Sequence, residues 1–257
     1  MNITQLFDLT NKTAIITGGG SGLGAQMAHA LAEAGANIVI CSRNIKNCQE
    51  MSDYLNEQGY PSLAIQCDVT SEDDINNVVE QTLNKFGSID ILINNSGTSW
   101  IAPVLDLPPD KWDKVMNVNL KAMFFFSQAV AKVMKNQGSG KIINISSVTG
   151  LYGTNPAFLD SIVYNTSKGA VIALTKDLAV KFAEYNIQVN AIAPGFFPTK
   201  ITKVLDKANN VILSKIPARR FGNDSDLKGT ALFLSSKASD YLTGQCLVVD
   251  GGLTANL

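Results

Sequence analysis

The chain has 257 residues, 46% of them apolar and 17% charged, where about a quarter charged is usual for a soluble domain. Twenty-one basic against 22 acidic side chains leave a net charge of −1, which argues against general nucleic-acid binding through phosphate neutralisation. The single histidine, His29, excludes zinc sites built on two or three histidines and would have to serve any Ser-His-Asp hydrolase alone.

Four cysteines, Cys41, Cys48, Cys67 and Cys246, form no Cys-x-x-Cys pair, which removes zinc ribbons and thioredoxin-type redox motifs. So few in so long a chain fit a reduced, cytoplasmic setting better than a disulfide scaffold. Residues 1–12 carry neither the basic nor the apolar stretch of a signal peptide. No run of about 18 apolar residues occurs, so no membrane span is expected. No linker or charge block divides the chain, and residues 1–257 read as one domain.

Thr13–Thr17 reads as a first buried strand, and a helix follows from Gly22 to Ala34, ending at Gly35. Between them lies Thr17-Gly18-Gly19-Gly20-Ser21-Gly22-Leu23-Gly24-Ala25. Glycines at such a strand-to-helix turn let backbone N–H groups and the helix N-terminus approach a pyrophosphate. Gly18, Ser21, Gly22, Leu23 and Gly24 are the candidate contacts; a tight turn with no ligand is the plainer alternative.

Asn37–Cys41 is the second strand. An NAD site usually places Asp or Glu about 20 residues after the glycines, on the adenosine ribose. This strand instead runs into Ser42-Arg43-Asn44, a hydroxyl and one of only three arginines in the chain. That exchange of acid for cation favours NADP(H), whose 2′-phosphate an arginine accommodates. Leu63–Cys67 is the third strand, and Asp68-Val69 after it can hold the adenine edge, cap the next helix, or both.

Ile89–Ile93 forms the fourth strand and runs into Asn94-Asn95-Ser96-Gly97; the following helix carries Asn117-Val118-Asn119-Leu120. Lys141–Ile145, the fifth, runs into Ser146-Ser147-Val148-Thr149-Gly150. Tyr164 and Lys168 then stand four apart on one helical face. Six tyrosines and 18 lysines would give about 0.4 such pairs by chance, so the spacing gains weight only from its neighbours. A nearby ammonium lowers a phenol's pKa and suits it to protonating a carbonyl, so Tyr164 is expected to be lowered by Lys168.

Gln188–Ile192 and Gln245–Val249 complete seven strands, with Pro194-Gly195 after the sixth. Between them, Lys200, Lys203, Lys207, Lys215, Arg219 and Arg220 face one acid, Asp206, which favours an anionic substrate or else is a solvated helix face. Nearly continuous apolar strands alternating with helices imply an α/β fold: a Rossmann-type, doubly wound, seven-stranded parallel sheet with helices on both faces. Ligands of such sheets sit beyond the C-terminal strand ends, where each of these motifs falls.

Taken in order, Thr17 to Gly24, Asn94 to Gly97, Ser147, Tyr164 with Lys168, and Pro194-Gly195 resemble the short-chain dehydrogenase/reductase family in its single-domain form of roughly 250 residues. The likeness spans essentially the whole chain, through Asp250-Gly251-Gly252. It implies a tetrad: Tyr164 as acid–base, Lys168 on the nicotinamide ribose, Ser147 on the substrate oxygen, and Asn119, rather than Asn117, anchoring a water that leads to Lys168. It places Asn95 and Gly97 near the cofactor, and Pro194, Gly195 and Thr199 on the carboxamide side of the nicotinamide. It implies a substrate lid over residues 196–220, a homotetramer, and relatives that reduce 3-oxoacyl thioesters or keto-gluconates. Ser96 replaces the family's usual alanine, and 17 residues from Ser147 to Tyr164 exceed the usual spacing. The extra segment, Tyr152 to Ser161, is expected to border the pocket. His29 and the cysteines are expected to pack rather than react. The expected activity is NADP(H)-dependent interconversion of a ketone and a secondary alcohol, with no metal; a dinucleotide-binding regulator is the alternative from another class.

Overall fold

The structure is a computed structural model and describes residues 1–156, 159–198 and 209–256. Its strands are β1 (Thr13–Thr17), β2 (Asn37–Ser42), β3 (Ser62–Gln66), β4 (Ile91–Asn94), β5 (Gly140–Ile145), β6 (Ile187–Pro194) and β7 (Cys246–Val249). They form one sheet in the order β3-β2-β1-β4-β5-β6-β7, every pair parallel. The helices are α1 (Ile3–Phe7), α2 (Gly22–Glu33), α3 (Ile45–Glu57), α4 (Glu72–Phe86), α5 (Pro109–Met116), α6 (Ala122–Gln137), α7 (Ile162–Phe182), α8 (Asn209–Lys215) and α9 (Lys228–Ser235). This is the expected doubly wound Rossmann-type arrangement.

Alternating strand residues feed two separate cores. Ala14, Ile16, Ile38 and Ile40 pack with Met27 and Leu31 of α2 and Leu234 of α9. Ile15, Val39 and Leu92 pack with Ile75 of α4, Phe126 of α6 and Leu178 of α7. Burial of each large side chain contributes roughly 1.5–3 kcal/mol, which is why apolar runs suffice to specify strands covered on both faces. Local signals end the helices. Ser71 caps α4 by accepting from the Asp74 N–H, three acids occupy its first turn, and Gly87 closes it in the left-handed region.

Several strand ends differ from the sequence expectation by one residue, and two differ by two, for reasons that are tertiary. β4 starts at Ile91 rather than Ile89 because the Gln137 side chain takes the place of a neighbouring strand. Its Nε2 donates to the Ile89 carbonyl and its Oε1 accepts from the Ile89 N–H. Asp90 is spent on Lys12 and the Thr13 N–H. β6 runs on to Pro194, which pairs with Val249.

The chain winds outward from β1 to β3 and returns at β4, so strand order reverses between β1 and β4. The crevice beyond that reversal is where such sheets bind ligands. No helix among the described residues is long and apolar enough to cross a membrane.

Candidate active site

A cavity of about 910 Å³ opens beyond the C-terminal ends of the strands. Gly18, Ser21, Gly22 and Leu23 line its middle, in the turn from β1 to α2. Gly18 has φ +65°, which favours glycine. The turn is stitched to β4: the Asn95 and Ser96 N–H groups both donate to Thr17 Oγ1 at 2.9 Å, and Asn95 Nδ2 donates to the carbonyls of Thr17 and Gly18. Asn95 lines the cavity, yet its amide nitrogen holds the turn closed. Gly24 lies off the cavity wall. A Cβ there would stand 2.5 Å from Asn95 Nδ2 and from the Gly18 carbonyl, so only glycine lets α2 begin this close to the loop.

Ser42, Arg43, Asp68 and Val69 line one end. Ser42 Oγ donates to the Asn44 carbonyl at 3.1 Å and lies equally near Cys48 Sγ. Arg43 has no ion pair among the described residues. Asp68 Oδ1 accepts from the Thr70 N–H and hydroxyl, and these bonds, with help from the Arg43 charge, hold its carboxyl below the usual range. The cap of α4 is Ser71, so Asp68 does not fill that role. Asn44, the N-cap of α3, and Asn47 in its first turn also line this end and were not singled out from sequence. Their signal was only that they stand one and four residues after Arg43.

Gly97, Ser147, Tyr164, Lys168, Pro194 and Gly195 line the other end. Ser147 leads a single 3₁₀ turn, Val148–Gly150. That turn lies directly on α7: a Cβ at Gly150 would stand 2.6 Å from the Lys168 carbonyl carbon and 2.7 Å from the Gly169 nitrogen. Ser146 Oγ fastens it by donating to the Lys168 carbonyl at 2.7 Å. Ser147 and Tyr164 thereby come to the same end of the cavity.

The electrostatics differ from the sequence expectation. Burial pushes the Tyr164 phenol up, with the Ser147 bond opposing, and Lys168 is not what moves it. Desolvation also brings the buried Lys168 ammonium down to about 8. Its Nζ donates to the Ile145 carbonyl at 2.7 Å and sits 5.6 Å from the Tyr164 ring centre. Loss of water disfavours the charged form of both groups, and that outweighs their mutual influence.

α5 passes into α6 through a π turn, Asn117–Lys121, a distortion that is frequent at functional sites. Asn119 is buried there, while Asn117 is exposed. Asn119 Oδ1 accepts from the Thr98 N–H at 2.8 Å; its Nδ2 donates to the Thr98 carbonyl and to Ser167 Oγ, both at 2.9 Å. Ser167 in turn donates to the Tyr164 carbonyl. Asn119 is not on the cavity wall, but a Cβ at Gly97 would stand 3.5 Å from its Oδ1 and 3.7 Å from Lys168 Nζ. The amide oxygen and the ammonium thus face one small gap that glycine leaves open.

Beyond Tyr164 the wall is apolar: Phe196, Phe197, Pro198, Ile212 and Phe221. Phe196, Phe221, Ile212 and Tyr152 join Val148, Ile216 and Leu253 in a third cluster. Of the segment from Tyr152 to Ser161, whose residues 157 and 158 lie outside the described residues, Tyr152 packs in that cluster and none of the described residues lines the cavity; the segment is tied to α7, where Asn165 Nδ2 donates to Thr154 Oγ1. Thr199, Lys200, Lys203, Asp206 and Lys207 lie outside the described residues. Of the remaining lid cations, Arg220 donates to both Asp226 oxygens, at 2.5 and 2.9 Å, and Arg219 to the Ser214 carbonyl at 2.7 Å. Arg220 is therefore spent on an ion pair and is not free charge for a substrate. His29 sits among Glu33, Lys228 and Tyr54 on the far side of α2. Cys41, Cys48 and Cys67 are buried. The described residues hold no cluster of three or more metal-ligating side chains.

A family model described as enoyl-(acyl carrier protein) reductase matches residues 18–254. The chain is 40% identical over 255 residues to 5-keto-D-gluconate 5-reductase of Escherichia coli, covering 98% of each. It is 39% identical over 249 residues to the 3-oxoacyl-[acyl-carrier-protein] reductase FabG of Thermotoga maritima, covering 95% of this chain and 98% of that one. The crystal structure of a gluconate 5-dehydrogenase from Burkholderia cenocepacia, in complex with NADP and tartrate, superposes with a TM-score of 0.94 at 37% identity, covering 100% of both chains.

Proposed function

The chain belongs to the short-chain dehydrogenase/reductase family, and we propose that it is an NADP(H)-dependent oxidoreductase interconverting a ketone and a secondary alcohol. One observation carries the reading: Ser147, Tyr164 and Lys168 converge on the same cavity whose middle presents the glycine turn and whose far end presents Arg43. The cavity fits the cofactor. Gly18, Ser21, Gly22 and Leu23 would hold the pyrophosphate, and Arg43, which makes no ion pair among the described residues, would hold a 2′-phosphate beside Ser42. Asp68 and Val69 would flank the adenine. Asn95, Gly97, Lys168, Pro194, Gly195 and Thr199 would hold the nicotinamide riboside.

When bound, NADP(H) supplies or accepts the hydride at the carbonyl carbon. Tyr164, a phenol protonated at neutral pH in any case and pushed further up by burial, gives its phenolic proton to the substrate oxygen during reduction. Ser147 donates a hydrogen bond to the same oxygen as negative charge develops there. Asn119 and Lys168, on either side of the gap at Gly97, would hold a water that returns a proton to the site.

The apolar wall of Phe196, Ile212 and Phe221 supports a ketone flanked by an acyl chain, such as a 3-oxoacyl thioester of a carrier protein or coenzyme A. A keto-sugar acid is the second reading, favoured by the relative at 40% identity. Residues 1–257 then form one dinucleotide-binding domain, with 196–220 as its lid. A cytoplasmic homotetramer fits: four free cysteines suit a reducing compartment, and Val180, Tyr241 and Val248 leave apolar surface beside the β7 edge. The test is NADPH oxidation by purified protein across acyl thioesters and keto-sugar acids. Turnover of an acyl thioester supports the first reading and turnover of a keto acid alone the second; silence across the panel would favour a regulator.

A further inference from the structure

We propose that Ser167 is a positioning residue that ties the Asn119 amide to α7, so that Asn119 Oδ1 and the Lys168 ammonium stay at the spacing one shared water needs. This inference rests on the reading of Asn119 and Lys168 as the pair that returns a proton to the site.

Asn119 lies in the π turn, where the α-helical register between α5 and α6 is interrupted. Three hydrogen bonds hold its amide there. Oδ1 accepts from the Thr98 N–H at 2.8 Å, and Nδ2 donates to the Thr98 carbonyl and to Ser167 Oγ, both at 2.9 Å. Of these partners only Ser167 belongs to α7, the helix that carries Lys168. Asn119 and Ser167 are both fully buried.

A serine hydroxyl has one proton. Ser167 gives it to the Tyr164 carbonyl at 2.7 Å, so toward Asn119 its oxygen acts as an acceptor. Both Nδ2 protons thereby have partners. Exchanging the amide oxygen and nitrogen would set Oδ1 against two acceptors, so the orientation is fixed. Oδ1 keeps one lone pair, and this atom and Lys168 Nζ lie 3.5 and 3.7 Å from the point a Cβ at Gly97 would occupy. The lysine side of that gap is fixed separately, by the bonds of Nζ to the Ile145 carbonyl and of Ser146 to the Lys168 carbonyl. Each reduction takes one proton from the Tyr164 phenol and leaves a phenolate. Its O–H bond is remade with a proton from solvent, passed in through the water between Oδ1 and Nζ, and the electron pair stays on the phenol oxygen. A displaced Asn119 slows that return and leaves cofactor binding untouched.

The fold supplies a matched control about two turns further along the same two helices. Thr175 of α7 donates to the Val171 carbonyl at 2.8 Å and accepts from Asn144 Nδ2 at 3.0 Å. Asn144 continues through Asn94 to Ser127 of α6, by two bonds of 2.9 Å. Thr175 is thus also a buried hydroxyl that bonds back along its helix and accepts from an asparagine amide, but it serves Asn144 and lies off the cavity wall.

The experiment compares Ser167→Ala, Thr175→Val and Asn119→Ala with the wild type. Each of the first two leaves a buried amide short of one acceptor, so both should lower the urea midpoint. Only Ser167→Ala should lower kcat for ketone reduction, by about three- to tenfold, the range of one modest hydrogen bond, with the Kd for NADPH unchanged. Its solvent deuterium isotope effect on kcat should rise, because proton return becomes the slower step, while Thr175→Val keeps the wild-type value. Combining Ser167→Ala with Asn119→Ala should be no slower than Asn119→Ala alone. Thr175→Val matching Ser167→Ala in rate and isotope effect would overturn the inference, since it would indicate general loosening of the helix pair. A double variant much slower than Asn119→Ala would do the same. Slow turnover by Asn119→Ala beside normal turnover by Ser167→Ala would remove this inference alone. Wild-type turnover by Asn119→Ala would remove the proton-return reading, and this inference with it.

Discussion

Lys168 and Ile145 are joined across the gap between α7 and β5: the ammonium donates to the Ile145 carbonyl at 2.7 Å from a site only 3% exposed. The next residue along, Ser146, returns a bond to the Lys168 carbonyl. The lysine is thus held at the strand end beside Tyr164 at the cost of its hydration, and its pKa of about 8 records that cost.

This arrangement predicts an unusual dependence of stability on pH. The folded pKa of Lys168 lies below the unfolded value of 10.5, so between about 8 and 10.5 the unfolded chain binds more protons. Stability from this group should rise with pH across that window, and the penalty is fully present below it. Lys168→Met removes the buried charge. The unfolding free energy of the variant relative to wild type should therefore fall as pH rises from 8 to 10, by on the order of 2–3 kcal/mol. Above 10 the raised Tyr164 pKa acts in the opposite sense, so urea titrations should stop there. A difference independent of pH would show that Lys168 is better solvated than its surroundings imply.

Tyr164→Phe should leave the fold and NADPH binding near wild type and reduce turnover by about a hundredfold or more, the usual weight of general acid–base catalysis. Fluorescence titration with NADPH separates the two effects. Turnover within a few fold of wild type would remove Tyr164 from the mechanism.

Arg43→Asp should invert the cofactor preference. Losing a charge-assisted bond to a phosphate typically costs about 1.5–3 kcal/mol, so kcat/KM with NADPH should fall at least about tenfold relative to NADH. The new carboxylate can accept from ribose hydroxyls, so activity with NADH should hold or improve. An unchanged ratio would move the discrimination to Ser42 or Asn47.

Much of this site could be read from residue order, because strands covered on both faces are short apolar runs and each motif directly follows one. What could not be read is tertiary. Ile89 looks like strand, but a glutamine 48 residues away takes over its backbone bonds. The choice between Asn117 and Asn119 depends on a π turn, which no periodicity announces. The Tyr164–Lys168 spacing correctly places two groups on one face, yet the direction of both pKa shifts follows from burial, a property of everything packed around them. Lid charge was countable, but its pairing was not: Asp226 lies outside the basic run and still takes Arg220.

Gly150 offers the sharpest structural test, because Gly153 three residues on provides an internal control. A methyl group at 150 would meet the Lys168 carbonyl carbon at 2.6 Å, whereas one at 153 would have nothing within 4 Å. Both lie in the connection between β5 and α7, so general effects on the loop are shared. Gly150→Ala must push the 3₁₀ turn off α7, at about 1–3 kcal/mol for overpacking. It should also carry Ser147 away from Tyr164, lowering kcat more than KM, since misplacing a group by about 1 Å can cost on the order of a hundredfold in rate. Gly153→Ala should be neutral or slightly stabilising, through the reduced entropy of the unfolded chain. Urea unfolding and steady-state kinetics on the two variants decide the matter. Equal, small effects would show that the turn can shift without disturbing the serine–tyrosine pair.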